Sequence, residues 1–383
     1  MAKLGDLCDI LNGYAFKSEQ YVDSGVRIIR IANVQKGYIE DSAPVFYPID
    51  NIEYKKYELK EGDLLLSLTG NVGRVALLQK EFLPAALNQR VACLRIKDET
   101  ILLKSFLFNL LNSDYFESKC VESSQGVAQK NMSTEWLKEY DIPLFSIDKQ
   151  TEISKELDTI SALISLRKQQ LSKFDELVKS RFIELFGDTI LNPYNWDKEP
   201  LGKVCDVRDG THDSPKYYDT GYPLVTSKNL SSGDIDFNDC SLICKNDFDK
   251  INERSKVDFG DILMPMIGTV GNPVIVKIKD EFAIKNVALI KFCDNTKVTN
   301  IYIQALLKSD YFDSEVLGKV RGGTQKFISL GDIRKLEILV PPIDLQNQFA
   351  EFVEQTDKLK FEVKQSLEKL ETLKKALMQQ YFG

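Results

Sequence analysis

The sequence lacks most of the residues and patterns from which catalytic sites are built. Its 383 residues include a single histidine, His212, so a Ser-His-Asp or Cys-His arrangement would have to form around that one residue. The patterns of a phosphate-binding P-loop, a glycine-rich dinucleotide cradle, a zinc-protease helix and a serine nucleophile elbow do not occur. We therefore expect no catalytic residue and no cofactor in this chain.

Cysteines are few and are not arranged in pairs. The seven cysteines are scattered and odd in number, and no Cys-x-x-Cys spacing occurs. Cys240 and Cys244 are the nearest two, and we interpret them as ordinary thiols. This distribution argues against a disulfide framework and against a structural zinc site, so we predict no metal site.

Long hydrophobic runs and excess basic charge are also missing. No apolar stretch approaches the ~18 residues of a membrane helix, and Met1–Ile10 lacks the layout of a signal peptide. We expect a cytoplasmic protein without membrane contact. The net charge is −7, and neither half of the chain is basic overall. A DNA-binding surface would therefore have to be a local concentration of Lys and Arg, helped by a partner.

An internal repeat spans nearly the whole chain. Short motifs of the first half return 196 to 198 positions later, and loop insertions account for this small drift. The matching segments are Leu4–Ile10 with Leu201–Val207, Gly62–Leu66 with Gly260–Met264, Thr69–Gly73 with Ile267–Gly271, Ser113–Phe116 with Ser309–Phe312, and Asp148–Gln150 with Asp344–Gln346. The sequence therefore predicts a duplicated unit.

Each copy begins with a globular half and ends with a long helix. Short apolar runs such as Arg27–Ile31, Asp63–Ser67 and Val91–Ile96, separated by Gly, Asn and Asp, are typical of strands. One helical stretch, 101–117, interrupts them and has a counterpart at 298–315. We predict an α+β protein with two similar mixed α/β recognition domains in tandem. The predicted segments are 1–147 (first domain), 148–187 (central helix), 188–343 (second domain) and 344–383 (C-terminal helix).

The two predicted long helices each carry an apolar seam. About 37 residues at ~1.5 Å per residue make a helix of about 55 Å, and its apolar positions recur at three- and four-residue steps. An exposed seam of this length needs a partner. We expect the two helices to pair as an antiparallel coiled coil. The alternative is pairing with the helices of another chain.

Polar loops that recur in both copies are the candidate DNA contacts. The glycines of Thr69–Gly73 and Gly268–Gly271 either bring backbone close to phosphate or form hairpin turns. Gln and Lys recur at identical positions, and these residue types suit adenine and phosphate respectively. In the first copy the predicted contacts are Arg74, Asn88, Gln89, Arg90, Gln129, Lys130 and Asn131. In the second they are His212, Lys216, Thr269, Asn272, Lys285, Asn286, Arg321, Thr324, Gln325 and Lys326.

The duplicated layout and several motifs resemble the specificity subunit of type I restriction-modification systems. The resemblance covers the whole chain and rests on Gly210–Pro215, Gly268–Gly271, Gly323–Lys326 and Pro341–Gln346. The first copy departs from this pattern, since it lacks the Gly-Thr-His segment and the double proline.

The resemblance implies two target-recognition domains that bind double-stranded DNA at a bipartite, asymmetric site, with the helices setting the gap. It also implies two methyltransferase (modification) subunits, which bring S-adenosylmethionine, and ATP-dependent restriction subunits. Catalysis would then reside in these partners. The competing interpretation is a coiled-coil scaffold protein that does not read DNA.

Overall fold

The chain forms two compact units that share its two longest helices. The computed structural model describes residues 1–50, 52–124, 131–231, 233–267, 271–293, 296–316 and 327–383. Unit 1 comprises Met1–Lys168 and Gln365–Gly383, and unit 2 comprises Gln169–Lys364. Each unit therefore contains one globular half and part of each long helix.

The globular half of unit 1 is built from three sheets. Its strands are β1 (Ala2–Lys3), β2 (Cys8–Asn12), β3 (Val26–Ile29), β4 (Phe46–Tyr47), β5 (Leu64–Ser67), β6 (Val75–Leu77), β7 (Ala85–Leu87), β8 (Val91–Ile96) and β9 (Asp141–Ile142). The main sheet is antiparallel with the order β2-β8-β5-β6. A second sheet has the order β4-β3-β7, with β3 and β7 parallel, and β1 pairs with β9.

Unit 2 repeats this arrangement strand for strand. Its strands are β10 (Asp197–Pro200), β11 (Asp206–Asp209), β12 (Tyr222–Val225), β13 (Ser241–Ile243), β14 (Ile262–Pro265), β15 (Val274–Ile275), β16 (Ala283–Ile284), β17 (Val287–Lys291) and β18 (Glu337–Val340). The sheet orders are β11-β17-β14-β15, β13-β12-β16 and β10-β18. Strands β12 and β16 are the parallel pair. The duplication predicted from the sequence is confirmed.

The helices of the two units also correspond, with one addition. Unit 1 contains α1 (Leu4–Leu7), α2 (Lys104–Leu111), α3 (Asp114–Ser123), α4 (Thr134–Glu139) and the start of α5 (Ile147–Phe186). Unit 2 contains α6 (Leu201–Val204), α7 (Lys245–Ser255), α8 (Asn300–Leu307), α9 (Asp310–Val316), α10 (Leu330–Lys335) and the start of α11 (Ile343–Phe382). Helix α7 stands where unit 1 has only a 3₁₀ segment, Ile52–Tyr57.

The single helix expected at 101–117 is wrong, because the chain forms two helices there. Ser113 ends the first and caps the second, since its Oγ accepts a hydrogen bond from the backbone N–H of Phe116 at 3.2 Å. A Ser side chain that satisfies a free N–H favours a new helix start. The repeated Ser-Asp-Tyr-Phe motif is therefore a helix-start signal, and unit 2 shows the same break between α8 and α9.

The main sheet of each unit is buried on both faces. In unit 1, Leu64 and Leu66 face a core formed with α2 and α3, while Leu65 faces the second sheet. In unit 2, Ile262 and Met264 face the helices and Leu263 faces the second sheet. Successive side chains of a strand point to opposite faces of the sheet. A strand that is covered on both faces therefore has a continuous apolar sequence. This is why the runs beginning at 63 and 261 do not alternate.

One fully buried glutamine in each unit attaches the long helix to the globular half. Gln150 accepts from the N–H of Leu103 at 2.8 Å and donates to the carbonyls of Ile101 and Phe145, each at 2.9 Å. Gln346 makes the corresponding three bonds in unit 2, to Thr299, Lys297 and Pro341. The repeated Asp-x-Gln motif is therefore structural, since its glutamine side chain joins the start of the long helix to the turn that precedes α2 in unit 1 and α8 in unit 2.

Segments of the two long helices contact each other within each unit. In unit 1, Tyr381 donates to Glu156 at 2.6 Å and Lys168 lies 3.0 Å from Glu371. In unit 2, Lys360 donates to Asp175 at 2.5 Å, and the rings of Phe182 and Phe349 are 5.5 Å apart. Residue numbers rise on one helix as they fall on the other, so the paired segments run antiparallel in each unit. A continuous coiled coil along both helices stays a prediction.

Candidate nucleic-acid interface

The predicted DNA contacts of unit 1 that the structure describes lie at one edge of the main sheet. Asn12 pairs with Ala92, Ser67 with Val91, and Leu66 with Val75. Because these strands are antiparallel, the segments after β2 and β5 and those before β6 and β8 emerge at the same edge. We call 13–17, 68–74, 88–90 and Asn131 the polar edge of unit 1.

Leu68 is the point at which these segments meet. Its N–H donates to the carbonyl of Arg90 at 3.0 Å, and its carbonyl accepts from Met132 at 2.9 Å. Thr69 forms a bridge with Asn131. Arg90 and Asn131 are therefore held beside the turn that carries Arg74. Gln89, Arg90 and Asn131 are exposed, whereas Asn88 is half-buried. Gln129 and Lys130 lie outside the described residues.

Unit 2 has the equivalent polar edge. Asp209 pairs with Ala288, Pro265 with Val287, and Leu263 with Val274. We call 210–218, 266–267, 271–273, 285–286 and Phe327 the polar edge of unit 2. His212, Lys216, Asn272, Lys285 and Asn286 lie in it. Thr269, Arg321, Thr324, Gln325 and Lys326 lie outside the described residues. Phe327 forms a bridge with Ile267, as Asn131 does with Thr69.

The turn before β8 in unit 1 has the same backbone hydrogen bonds as the turn before β17 in unit 2. The N–H of Asn88 donates to Ile29 at 3.2 Å, and that of Lys285 donates to Val225 at 2.9 Å. The next N–H, of Gln89 or Asn286, donates to Tyr14 or Thr211 respectively. The backbone frame is thus shared.

The side chains on this shared frame differ. Unit 1 presents an amide at Asn88 and another at Gln89, whereas unit 2 presents an ammonium at Lys285 and an amide at Asn286. One backbone position therefore offers different hydrogen-bonding groups in the two units. These bonds place the two turns in the same register.

His212 is the centre of a polar cluster in unit 2. Its Nδ1 lies 2.8 Å from Oδ1 of Asn286, and its Nε2 lies 2.9 Å from Oδ2 of Asp209. Arg254 of α7 donates to the other oxygen of Asp209 at 2.8 Å. The hydrogen bonds to Asn286 and Asp209 raise the pKa of His212 above its ordinary value. Because both ring nitrogens face acceptor oxygens, the arrangement favours the protonated imidazole.

Two lysines of this edge are also held by neighbours. Lys285 donates to Oγ of Ser214 at 2.6 Å. The ammonium of Lys216 lies 5.5 Å from the centre of the Tyr218 ring, a cation–π distance. Tyr217 is exposed beside it. The loop 212–218 therefore combines cationic and aromatic groups at the surface. Asn272 donates to the carbonyl of Leu230 at 3.0 Å, which ties it to the second sheet's loop.

The glycines of the repeated turn have a structural reason to be there. Gly73 and Gly271 adopt φ of +84° and +89°, which L side chains rarely adopt. A Cβ on Gly73 would lie 2.9 Å from the Cβ of Cys120, and one on Gly271 would lie 2.6 Å from Cε1 of Phe312. These two glycines therefore let the turn pack on α3 and α9. These contacts give the two glycines a packing role, and the approach of the turn to phosphate stays a prediction.

Several residues that lie in or contact the two polar edges are not among the residues predicted from the sequence. Gln35 accepts a hydrogen bond from the guanidinium of Arg74, and Asn71 lies beside it. In unit 2, Asp209 and Arg254 orient His212. Asn71 falls inside the repeated motif at 69–73, which was a usable signal. Gln35 and Arg254 come from distant parts of the chain, and no local pattern marks them.

The described part of the chain shows neither a metal-binding cluster nor a membrane-spanning helix. It contains no cluster of three or more His, Cys, Asp or Glu side chains arranged to hold a metal ion. Within the same residues, no helix is both long enough and apolar enough to cross a bilayer.

The two tandem α+β units carry matching polar edges with cationic side chains, an arrangement that suits a protein that recognises nucleic acid. The model of the family described as "Type I restriction modification DNA specificity domain" matches residues 1–174 and 193–374. The chain belongs to this family. The family match confirms the predicted DNA-recognition role and the assignment as a specificity subunit rather than an enzyme.

Individual relatives agree with this assignment. The type I restriction enzyme EcoBI specificity subunit of Escherichia coli is 22% identical over 419 residues, which cover 99% of this chain and 84% of that one. The MjaVIII specificity subunit of Methanocaldococcus jannaschii is 31% identical over 184 residues, covering 47% and 43% respectively. The solved type I S subunit from M. genitalium has the same fold, with a TM-score of 0.61 at 16% identity and coverage of 100% and 95%.

Proposed function

We propose that this chain reads a bipartite, asymmetric DNA site, with one half-site bound by the polar edge of each unit. The observation that carries the proposal is the shared turn with different side chains, Asn88-Gln89 in unit 1 and Lys285-Asn286 in unit 2. A common backbone frame positions both domains on DNA in the same way. Different donors and acceptors on that frame select different bases, because each base pair presents its own pattern of hydrogen-bond donors and acceptors in the major groove.

The two long helices set the distance between the half-sites in this proposal. In this proposal they pair as an antiparallel coiled coil, and the length of the helices determines the gap between the half-sites. The antiparallel contacts within each unit support this pairing. The four predicted segments, 1–147, 148–187, 188–343 and 344–383, are the domains and spacers of this arrangement.

The chain acts as part of a larger complex. Relatives are named as specificity subunits of type I restriction enzymes, and we extend that role to assembly with two modification subunits and with restriction subunits. These partners carry out methylation and cleavage. The net charge of −7 supports a contribution of the partner subunits to DNA binding. An acidic chain gains little binding affinity from non-specific attraction to phosphates. Since the ligand is DNA, the location is cytoplasmic.

Methylome sequencing tests this function directly. Cells that express the chain with its modification subunits should methylate a two-part motif with a fixed gap. A continuous motif, or no motif, would contradict the proposal. A gel-shift assay of the purified complex at stated salt adds a second test, because a scaffold that does not read DNA shows no sequence preference.

A matched exchange assigns one half-site to unit 2. The double variant K285N/N286Q gives unit 2 the side chains that unit 1 carries at 88 and 89. Only one half of the motif should change, while the other half and the gap stay the same. If both halves of the motif changed, the assignment of one half-site to the polar edge of each unit would be contradicted.

A further inference from the structure

The guanidinium of Arg74 is held in one orientation at the polar edge of unit 1. The Arg74 backbone is fixed by Ser67, whose N–H donates to the Arg74 carbonyl and whose Oγ accepts from the Arg74 N–H, both at 3.0 Å. Nη1 donates to Oε1 of Gln35. With its amide oxygen turned towards the guanidinium, Asn71 accepts from Nη1 at 3.3 Å and from Nη2 at 3.1 Å. Backbone and side chain are therefore both constrained.

These contacts leave one specific pair of donors. A guanidinium has five N–H groups, and Gln35 and Asn71 engage three of those on Arg74. The remaining N–H groups, one on Nε and one on Nη2, point the same way along the side of the group. Among the described residues neither has a partner. Such a parallel pair matches two adjacent acceptors.

The charge of Arg74 is also not neutralised. Arg95 and Arg254 are paired with the carboxylates of Asp63 and Asp209. Arg74, by contrast, has no carboxylate partner within the described residues, and its two acceptors are neutral amides. Because neutral amides hold the guanidinium, its positive charge is not compensated and remains available to attract two acceptor atoms of a bound ligand.

We propose that Arg74 reads a guanine in the half-site bound by unit 1, with Gln35 and Asn71 as positioning residues. Guanine presents two acceptors, O6 and N7, in the major groove, and Arg binds them in a bidentate manner. A phosphate can also accept from both arms of the guanidinium fork, but its contacts position the protein and carry no sequence information. The fixed orientation of the Arg74 fork suits the two fixed acceptors of a base edge. This inference rests on the proposed function and names one determinant of its specificity.

Unit 2 does not repeat this arrangement. Gly73 and Gly271 occupy the same place in the repeated turn, so the residue that follows, Arg74, corresponds to Asn272. The amide of Asn272 donates inward to the carbonyl of Leu230 at 3.0 Å. Among the described residues, a guanidinium held at this turn is therefore found in unit 1 and not in unit 2, and the guanine contact is expected in one half-site only.

The test compares Arg74 variants in the full chain assembled with its modification subunits. R74K and R74Q should reduce discrimination at a single G·C pair of one half-site by about 5- to 100-fold. The other half-site and the gap should not change. Equal weakening on all sequences, as expected for a phosphate contact, would overturn the proposal. So would a wild-type motif in which the affected half-site contains no G·C pair.

The positioning residues have their own test, in which Arg74 is retained. Asn71→Leu removes the acceptor and should relax the same G·C position, whereas Asn71→Asp keeps an acceptor and should preserve the base preference. If both variants keep full discrimination, Asn71 does not orient the fork. The exchange Lys80→Gln is the control, because Lys80 is exposed and lies outside the polar edge, and it should leave every base preference intact.

These outcomes separate the two proposals. If the wild-type complex methylates no two-part motif, the proposed function itself fails. If the motif is present but R74K and R74Q leave all base preferences unchanged, only the Arg74 assignment fails. Thermal unfolding of each variant shows whether the fold is retained.

Discussion

His212 and Asn286 are joined by a contact of 2.8 Å between Nδ1 and Oδ1, although 73 residues separate them in the sequence. Asn286 adopts φ of +55°, a left-handed conformation that Asn tolerates better than most residues. The turn thereby aims its amide oxygen at the imidazole. Together with Asp209 it creates a site in which the histidine is favoured as a cation.

The first prediction concerns the titration of this histidine. The pKa of His212 should lie above the ordinary value of ~6.5, because Asn286 and Asp209 stabilise its charged form and outweigh the repulsion from Arg254. The charged contact is then complete below the ordinary pKa and is lost as pH rises through the raised one. His212 is the chain's single histidine, so its NMR signal needs no assignment. Asn286→Ala should lower the measured pKa; an unchanged value would contradict the role of the amide.

The second prediction concerns the buried glutamines that attach the long helices. Gln150→Leu should lower the free energy of unfolding by about 3 kcal/mol, because it leaves one N–H and two carbonyls without partners. Gln346→Leu should have a similar effect in unit 2. Urea unfolding measures both. Gln169→Leu, on an exposed part of the same helix as Gln150, is the control and should change stability by less than about 0.5 kcal/mol.

The third prediction concerns thiol reactivity. Cys293 is exposed, whereas Cys8 and Cys205 are buried, and burial raises the pKa of each of these two thiols to about 12. Because the thiolate is the reactive form, iodoacetamide should label Cys293 first in the native protein. Peptide mass spectrometry identifies the site. Cys293→Ser should remove the fastest phase, and rapid labelling of Cys8 would be inconsistent with the observed packing.

The fourth prediction concerns the length of the helices. Inserting one heptad into both α5 and α11 adds about 10 Å to each and keeps the apolar seam in phase. The gap in the methylated motif should lengthen while both half-sites stay the same. Methylome sequencing of the double insertion provides the readout. Altered half-sites would show that the helices do more than set the spacing.

Much of the fold was predictable because it repeats. The strand at Val91–Ile96 and the ends of both long helices agree with the sequence pattern to within a residue. Gly187 follows the end of α5 with φ of +77°, a conformation that suits glycine at a helix C-terminus. The split between α2 and α3 does not follow from the apolar periodicity of this stretch, because it depends on the side chain of Ser113, which caps α3.

The candidate site was harder to predict, because its geometry is set by long-range contacts. The loop segments were found from their repeated glycines and polar residues, yet Gly73 proved to be needed for packing on α3. Similarly, Gln35 reaches Arg74 across 39 positions of sequence. Such partners are chosen by tertiary structure, and a single sequence contains no local signal for them.

The composition of unit 1 has a consequence for how the protein is made. Phe382 is buried in the same core as Phe106, with 5.6 Å between the ring centres. Unit 1 contains residues 1–168 but also needs 365–383. During translation, unit 1 therefore cannot complete its core until residues 365–383 of α11 have left the ribosome. Until then, part of the core of unit 1 stays uncovered. Unit 2, which is contiguous, can finish folding before the half that is synthesised first.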